Sequence, residues 1–265
     1  MSVKVLHRPG LVWHGDSPDL EIIMSDVARP LHQKTIGILG GASNVATGEY
    51  YKFLNAAVND RLGGWDIAET LISGMNFGNI EAFVRAGNWD ALAAYMDAKV
   101  AALVAAGADV LICVSNTLHA PLEPICAQHD IPLIHIADPT GEAIGAQGLT
   151  RVALFGTRPV METKYLRDRY RDVHGLEVVI PSEAERAEID RIIFDELVKS
   201  DIRETSRQTY LSIADRLVRE EGAQGLVLGC TEIFLLLRPK DAPDLPMFNT
   251  AELHCEAAVA AALDV

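Results

Sequence analysis

The chain has 265 residues and carries 23 Lys and Arg against 37 Asp and Glu, a net charge of −14, with 49% hydrophobic residues. A polypeptide of this length buries on the order of three quarters of its unfolded surface, so its core needs neither disulfides nor a structural metal, and the apolar fraction excludes a disordered chain. The acidic balance argues against nucleic acid, whose phosphates are bound by clustered Lys and Arg; an anionic ligand has to be held by a local device such as a helix N-terminus.

Residues 1–34, with Pro9, Gly10, Gly15, Pro18 and Pro30, form no continuous apolar h-region and read as an irregular extension rather than a secretory signal. Cys113, Cys126, Cys230 and Cys255 form no CxxC pair, and no apolar run approaches the roughly 18 residues that span a bilayer. The expectation is a cytoplasmic protein with reduced thiols and no membrane partner. The His residues are scattered without ligand spacing, so no metal is expected.

From Thr35 onward short aliphatic runs alternate with amphipathic stretches. Strands are predicted at Ile36–Leu39, Ile67–Ile72, Val110–Val114, Leu133–Ile136, Val152–Phe155, Leu176–Ile180 and Leu226–Leu228. Between them, helices are predicted at Ala46–Asn59, Trp89–Ala106, Pro121–Gln128, Met161–His174, Ala184–Lys199 and Arg203–Glu221. This alternation predicts an α/β protein with largely parallel sheets buried on both faces.

An internal repeat sharpens the architecture. Gly107-Ala-Asp-Val-Leu-Ile-Cys-Val-Ser115 aligns without a gap on Gly222-Ala-Gln-Gly-Leu-Val-Leu-Gly-Cys230, and Ile36-Gly-Ile-Leu-Gly40 on Val152-Ala-Leu-Phe-Gly156. Nearly equal offsets predict two similar Rossmann-like lobes related by a pseudo-two-fold, residues 35–136 and 137–249, with a C-terminal helix over 250–265 joining the first lobe. The site is expected in the cleft between them.

Ligands of open α/β sheets bind outside the carboxyl ends of the strands. The repeat places Ser115 and Cys230 there, from opposite sides of one cleft. Each precedes small polar residues expected to open a helix, whose N-terminus would favour the thiolate of Cys230 and lower its pKa. Gly41 after the first strand, with Ser43, Asn76, Asn116, Thr117 and Thr231, supplies N–H and O–H donors for a substrate carboxylate, each with a competing role in capping or turns. Gly40-Gly41 lacks the spacing of a nucleotide loop. Asp138 is a candidate orienting carboxylate or, the reading favoured here, the cap of a helix after Pro139.

Ile36-Gly-Ile-Leu-Gly-Gly, Ser115-Asn-Thr-Leu-His119 and Leu228-Gly-Cys-Thr-Glu-Ile233 resemble the three signatures of the aspartate/glutamate racemase family, and the likeness runs from about Thr35 to the C-terminus. Arg61-Leu-Gly-Gly64, His135-Ile-Ala-Asp138 and Gly156-Thr-Arg158 resemble its broad-specificity subgroup. The resemblance implies a racemase that needs no pyridoxal or other cofactor, a small amino-acid or related carboxylate substrate, and a homodimer. One residue removes the Cα proton and its counterpart on the other face returns one, with Glu232 as a matching carboxylate. This chain departs from the two-thiol pattern by placing Ser115 where the first Cys stands. A hydroxyl is a far weaker acid than a thiol, so it is poorly matched as an unaided base; His119, four residues on, is expected either to assist it or to fill a capping or core position.

Substrate recognition departs too. Met75-Asn76-Phe77-Gly78 lacks the Arg of members specific for acidic substrates, and Lys199 is displaced by one position, which weakens the case for a dicarboxylate. Three functions stay open: a racemase or epimerase, a lyase or decarboxylase that moves one proton, and a catalytically inactive ligand-binding homologue.

Overall fold

The aliphatic runs form two parallel sheets. In a computed structural model, which describes residues 32–263, the first sheet has the order β2-β1-β3, built from Ile36–Gly40 (β1), Thr70–Gly74 (β2) and Val110–Cys113 (β3). The second has the order β5-β4-β6-β7, from Arg151–Phe155 (β4), Glu177–Val179 (β5), Leu226–Leu228 (β6) and Met247–Asn249 (β7). Every named pairing is parallel. Apart from residues 32–34, the N-terminal extension lies outside the described residues.

The repeat is visible in the register. Leu39 pairs with Cys113 across β1 and β3 as Phe155 pairs with Leu228 across β4 and β6. Just beyond, Val114 N donates to Leu39 O at 3.1 Å and Gly229 N to Phe155 O at 2.7 Å. The next residues are Ser115 and Cys230, so equivalent hydrogen bonds hold the backbone ahead of each. The predicted strand at Leu133–Ile136 reduces to a single bridge between Leu133 and Leu111. It occupies the place that β7, absent from the sequence-based assignment, takes in the other sheet. Pro132 accepts from Leu111 N at 2.8 Å but has no N–H to return to a ladder.

Eleven α-helices cover the sheets among the described residues: α1 (Asn44–Leu62), α2 (Phe77–Arg85), α3 (Trp89–Ala105), α4 (His119–Gln128), α5 (Ala137–Ala146), α6 (Arg158–Glu162), α7 (Lys164–His174), α8 (Glu183–Asp195), α9 (Glu204–Glu221), α10 (Ile233–Leu236) and α11 (Thr250–Leu263). The alternation of strand side chains decides which helices each face receives. Ile36 and Ile38 pack with Tyr50 and Leu54 of α1 and with Ala258 and Val259 of α11, whereas Leu39 and Leu111 meet Leu92 and Met96 of α3 and Leu122 of α4. In the second half Phe155 packs with Ile189 of α8 and Tyr210 of α9, and Leu154 with Ile144 of α5 and Tyr170 of α7. Each fully buried Leu, Ile or Phe contributes about 1.5–3 kcal/mol, so these four layers account for the stability of both halves. The C-terminal helix packs on the first sheet although β7 just before it belongs to the second. Lys34–Val265 form one compact unit.

Local chemistry adjusts several boundaries. The predicted helix over Met161–His174 is two helices, because Thr163 takes an extended backbone and its hydroxyl bonds Pro159 O at 2.7 Å. The predicted Ala184–Lys199 helix ends at Asp195 and continues as a 3-10 turn over Leu197–Lys199. The α2 helix, unassigned from the sequence, starts because Asn76 Oδ1 accepts from Gly78 N at 3.0 Å. No helix among the described residues is long and apolar enough to cross a membrane.

Candidate active site

The carboxyl ends of the equivalent strands open into one cavity of about 260 Å³. From the first half it is lined by Ala42, Ser115, Asn116, Thr117 and the inner face of α2; from the second, by Thr157 to Val160, the end of α8, and Gly229 to Glu232. Ser115 and Cys230 therefore border the same space. Of the ten residues singled out from the sequence, Ser115, Asn116, Thr117, Cys230, Thr231 and Glu232 line it, whereas Gly41, Ser43, Asn76 and His119 do not.

Those four act behind the wall. Gly41 N donates to Thr47 Oγ1 at 2.9 Å, and its φ of 93° brings the chain so close to the next strand that a Cβ would lie 2.1 Å from Met75 O. Only glycine fits there. Ser43 caps α1 and Asn76 caps α2, so both serve the capping roles that competed with carboxylate binding. Asp138 does not cap a helix beginning after Pro139: α5 starts at Ala137, and the carboxylate takes both Arg169 Nε and Nη2 at 2.7 Å.

His119 takes the core position that was one of its two expected roles. Asn116 does not open a helix; α4 begins at His119 itself. The ring is fully buried, with Nδ1 2.8 Å from Ser115 O and Nε2 3.3 Å from Ile136 N. Nδ1 must donate to the carbonyl, leaving Nε2 to accept from the amide. Both nitrogens are committed to backbone groups, which leaves neither to face the Ser115 hydroxyl. Burial, reinforced by the neighbouring His135, lowers the pKa to about 3. Ser115 Oγ makes no hydrogen bond to protein among the described residues.

A correction concerns the thiol. Cys230 Sγ lies 3.0 Å from Glu232 Oε2, and α10, whose N-terminus it was expected to feel, begins only at Ile233 and has four residues. Burial first, and then the charge and hydrogen bonding of Glu232, push the Cys230 pKa well above its ordinary value. The resting group is a neutral thiol that donates to a carboxylate. Glu232 is itself 2% exposed and accepts from Ser43 Oγ at 2.6 Å and Thr231 Oγ1 at 3.1 Å. Three donors thus hold its two oxygens in place.

Contacts across the cleft set the remaining geometry. Thr117 Oγ1 and Thr157 Oγ1 approach to 3.4 Å. Asn116 Nδ2 donates to Thr250 Oγ1 at 3.2 Å, and that hydroxyl donates to Leu228 O at 2.8 Å, tying the loop after β3 to the end of β6. The α2 and α8 walls escaped the sequence reading because their side chains are hydrophobic and look like core. Two cues were present: Phe77, Ile80 and Val84 recur at helical spacing after the Asn76 cap, and Arg158 stands in the segment after β4. Lys199 is exposed and lies outside the cavity, which its neighbour Val198 lines.

The model of the Asp/Glu/hydantoin racemase family matches residues 36–258. A solved structure of an Asp/Glu racemase candidate from Yersinia pestis is similar at 37% identity and a TM-score of 0.79, covering 86% of this chain and 99% of that one. An aspartate racemase homologue from Pyrococcus horikoshii OT3 is similar at 28% identity and a TM-score of 0.75, again covering 86% and 99%. At 13% identity and a TM-score of 0.61, glutamate racemase from Francisella tularensis, covering 84% of this chain and 79% of that one, shares the fold. The two parallel sheets, their duplicated register and the match over most of the chain agree: the protein is a member of the Asp/Glu/hydantoin racemase family.

Proposed function

We propose that the protein is an amino-acid racemase or epimerase that inverts Cα by removing a proton from one face and returning one to the other, without a cofactor. The observation that carries this reading is that Ser115 and Cys230, at equivalent strand ends, line one cavity of amino-acid size. The α-carboxylate is held by the Thr117 hydroxyl and by the N–H groups around Asn116 and Thr231 that have no partner in the hydrogen bonds above. Cys230 works with Glu232: the carboxylate accepts the thiol proton, the thiolate so formed takes the Cα proton, and the regenerated thiol is the acid for the reverse step. A thiol–carboxylate pair at 3.0 Å has the reach that proton transfer requires.

The Ser115 face differs. Neither nitrogen of His119 is free to take the hydroxyl proton, because both are committed to backbone groups. Ser115 therefore delivers a proton drawn from solvent more readily than it removes one from carbon. The enantiomer whose Cα–H faces Cys230 exchanges that proton with solvent faster, while the two directions of racemisation stay tied by an equilibrium constant of one.

A second reading, a lyase or decarboxylase using Cys230 for its single proton transfer, is favoured by the lone cavity thiol. Chiral chromatography of reaction mixtures separates the two. Racemisation predicts the opposite enantiomer at conserved mass, lost in Cys230→Ala; a new product of different mass excludes it.

A further inference from the structure

The part of the cavity lining that α2 and α8 supply is chemically unlike Ser115 and Cys230. Phe77, Ile80 and Val84 of α2 approach Ile193 and Phe194 of α8 and Val198 of the 3-10 turn. The Phe77 and Phe194 rings are parallel to within 9°, with centroids 6.3 Å apart. Two arginines border this wall, each bonded to a carboxylate on its own helix, and Glu162 also takes Arg186 Nε at 3.1 Å. Arg85 Nε bonds Glu81 while its guanidinium lies over Phe194, 5.9 Å from the centroid. Arg158 Nη2 and Nε bond Glu162 Oε1 at 3.0 and 3.1 Å. Glu81, Asp190 and Glu232 also line the cavity. Asp190 accepts only the Arg158 N–H, at 2.8 Å, and burial raises its pKa.

A carboxylate side chain entering here meets hydrocarbon, fixed negative charge and guanidinium groups already engaged. An apolar one meets surface that gains from being covered. We propose that the wall formed by α2 and α8 receives the substrate's side chain and selects apolar side chains of aromatic size over those of aspartate and glutamate. This assignment rests on the amino-acid reading above, and it names the substrate class that reading leaves open. Phe194 is the chief determinant, since it touches both the opposing ring and the Arg85 cation.

The test uses the full chain with phenylalanine and aspartate, both enantiomers of each, as probes. Calorimetric binding is measured beside Cα deuterium exchange in D₂O. In apolar pockets even one methylene changes discrimination by about tenfold or more. Phenylalanine is therefore expected to bind at least about tenfold more tightly than aspartate, and Phe194→Ala is expected to erase that margin by weakening phenylalanine alone. Phe194→Leu, which preserves an apolar filling of the wall, retains most of the margin and controls for folding. Equal or tighter binding of aspartate, or equal weakening of both ligands in Phe194→Ala, overturns the assignment even if exchange is seen. A preference for phenylalanine without exchange supports the side-chain pocket and removes the racemase reading instead.

Discussion

Ser43 Oγ, at the N-cap of α1 in the first half of the molecule, donates a 2.6 Å hydrogen bond to Glu232 Oε1 in the second half. The bond is buried, and the other oxygen of the same carboxylate accepts from Cys230 Sγ. One carboxylate thus joins the two halves and faces the thiol.

That arrangement separates two substitutions. Glu232→Gln keeps the shape but takes away the group that accepts the thiol proton, and exchange at Cα is expected to fall by about 10²–10⁴-fold. Ser43→Ala leaves the carboxylate in place and removes a helix cap, costing about 0.5–2 kcal/mol in urea denaturation with a smaller loss of rate. Equal rate losses in the two would contradict the assigned roles.

Ser115→Cys supplies the hydroxyl face with a more acidic group. The account expects exchange from the slow enantiomer to rise by about tenfold or more while the fast enantiomer changes little, measured by NMR of the Cα proton in D₂O. No change in the slow direction would mean that Ser115 does not limit abstraction on its face.

Acid should unfold the protein in a defined window. His119, His135 and His254 cluster between the halves, with ring centroids of 4.6 Å for His119 and His135 and 5.5 Å for His119 and His254. Their ring nitrogens bond Ser115 O, Ile134 O, Tyr50 and Tyr165, and the ionisable side chains facing them are Arg169, Asp138 and His174. Burial lowers each pKa to about 3. The unfolded chain accepts these protons near pH 6.5 and the folded chain refuses them until about pH 3. The stabilisation is therefore whole above pH 6.5 and is lost progressively below it, at up to about 1.4 kcal/mol per pH unit for each ring. Thermal melts between pH 7 and 4 should show a steep decline that His254→Gln makes shallower.

Gly41→Ala tests the backbone at the cleft. The added Cβ collides with Met75 O, and φ of 93° is strained for alanine, so a loss of at least about 3 kcal/mol is expected in equilibrium unfolding. Gly48→Ala, in the middle of α1 with open space around the glycine, is the control, expected to stabilise slightly.

The duplication was legible because strands buried on both faces need unbroken aliphatic runs and their ends must carry chemistry outward. The gapless match of Gly107–Ser115 to Gly222–Cys230 reflects equivalent hydrogen bonds at Val114 and Gly229. The state of Cys230 was not legible, because it depends on Glu232 folding back to the sulfur and on the four-residue length of α10. His119 was read as a possible relay because spacing along a chain cannot say which atoms of Ser115 and Ile136 the ring meets. The apolar wall was missed for a simpler reason: Phe77, Ile80 and Phe194 have the composition of a core, and only the approach of α2 and α8 shows that they border space.

The most direct measurement is deuterium incorporation at Cα of a single enantiomer in D₂O, followed with the wild type and Cys230→Ala under identical conditions. The account predicts incorporation by the wild type, faster from one enantiomer than from the other, and none above background in Cys230→Ala. Undiminished exchange in that variant would show that another group moves the proton and would contradict the central claim.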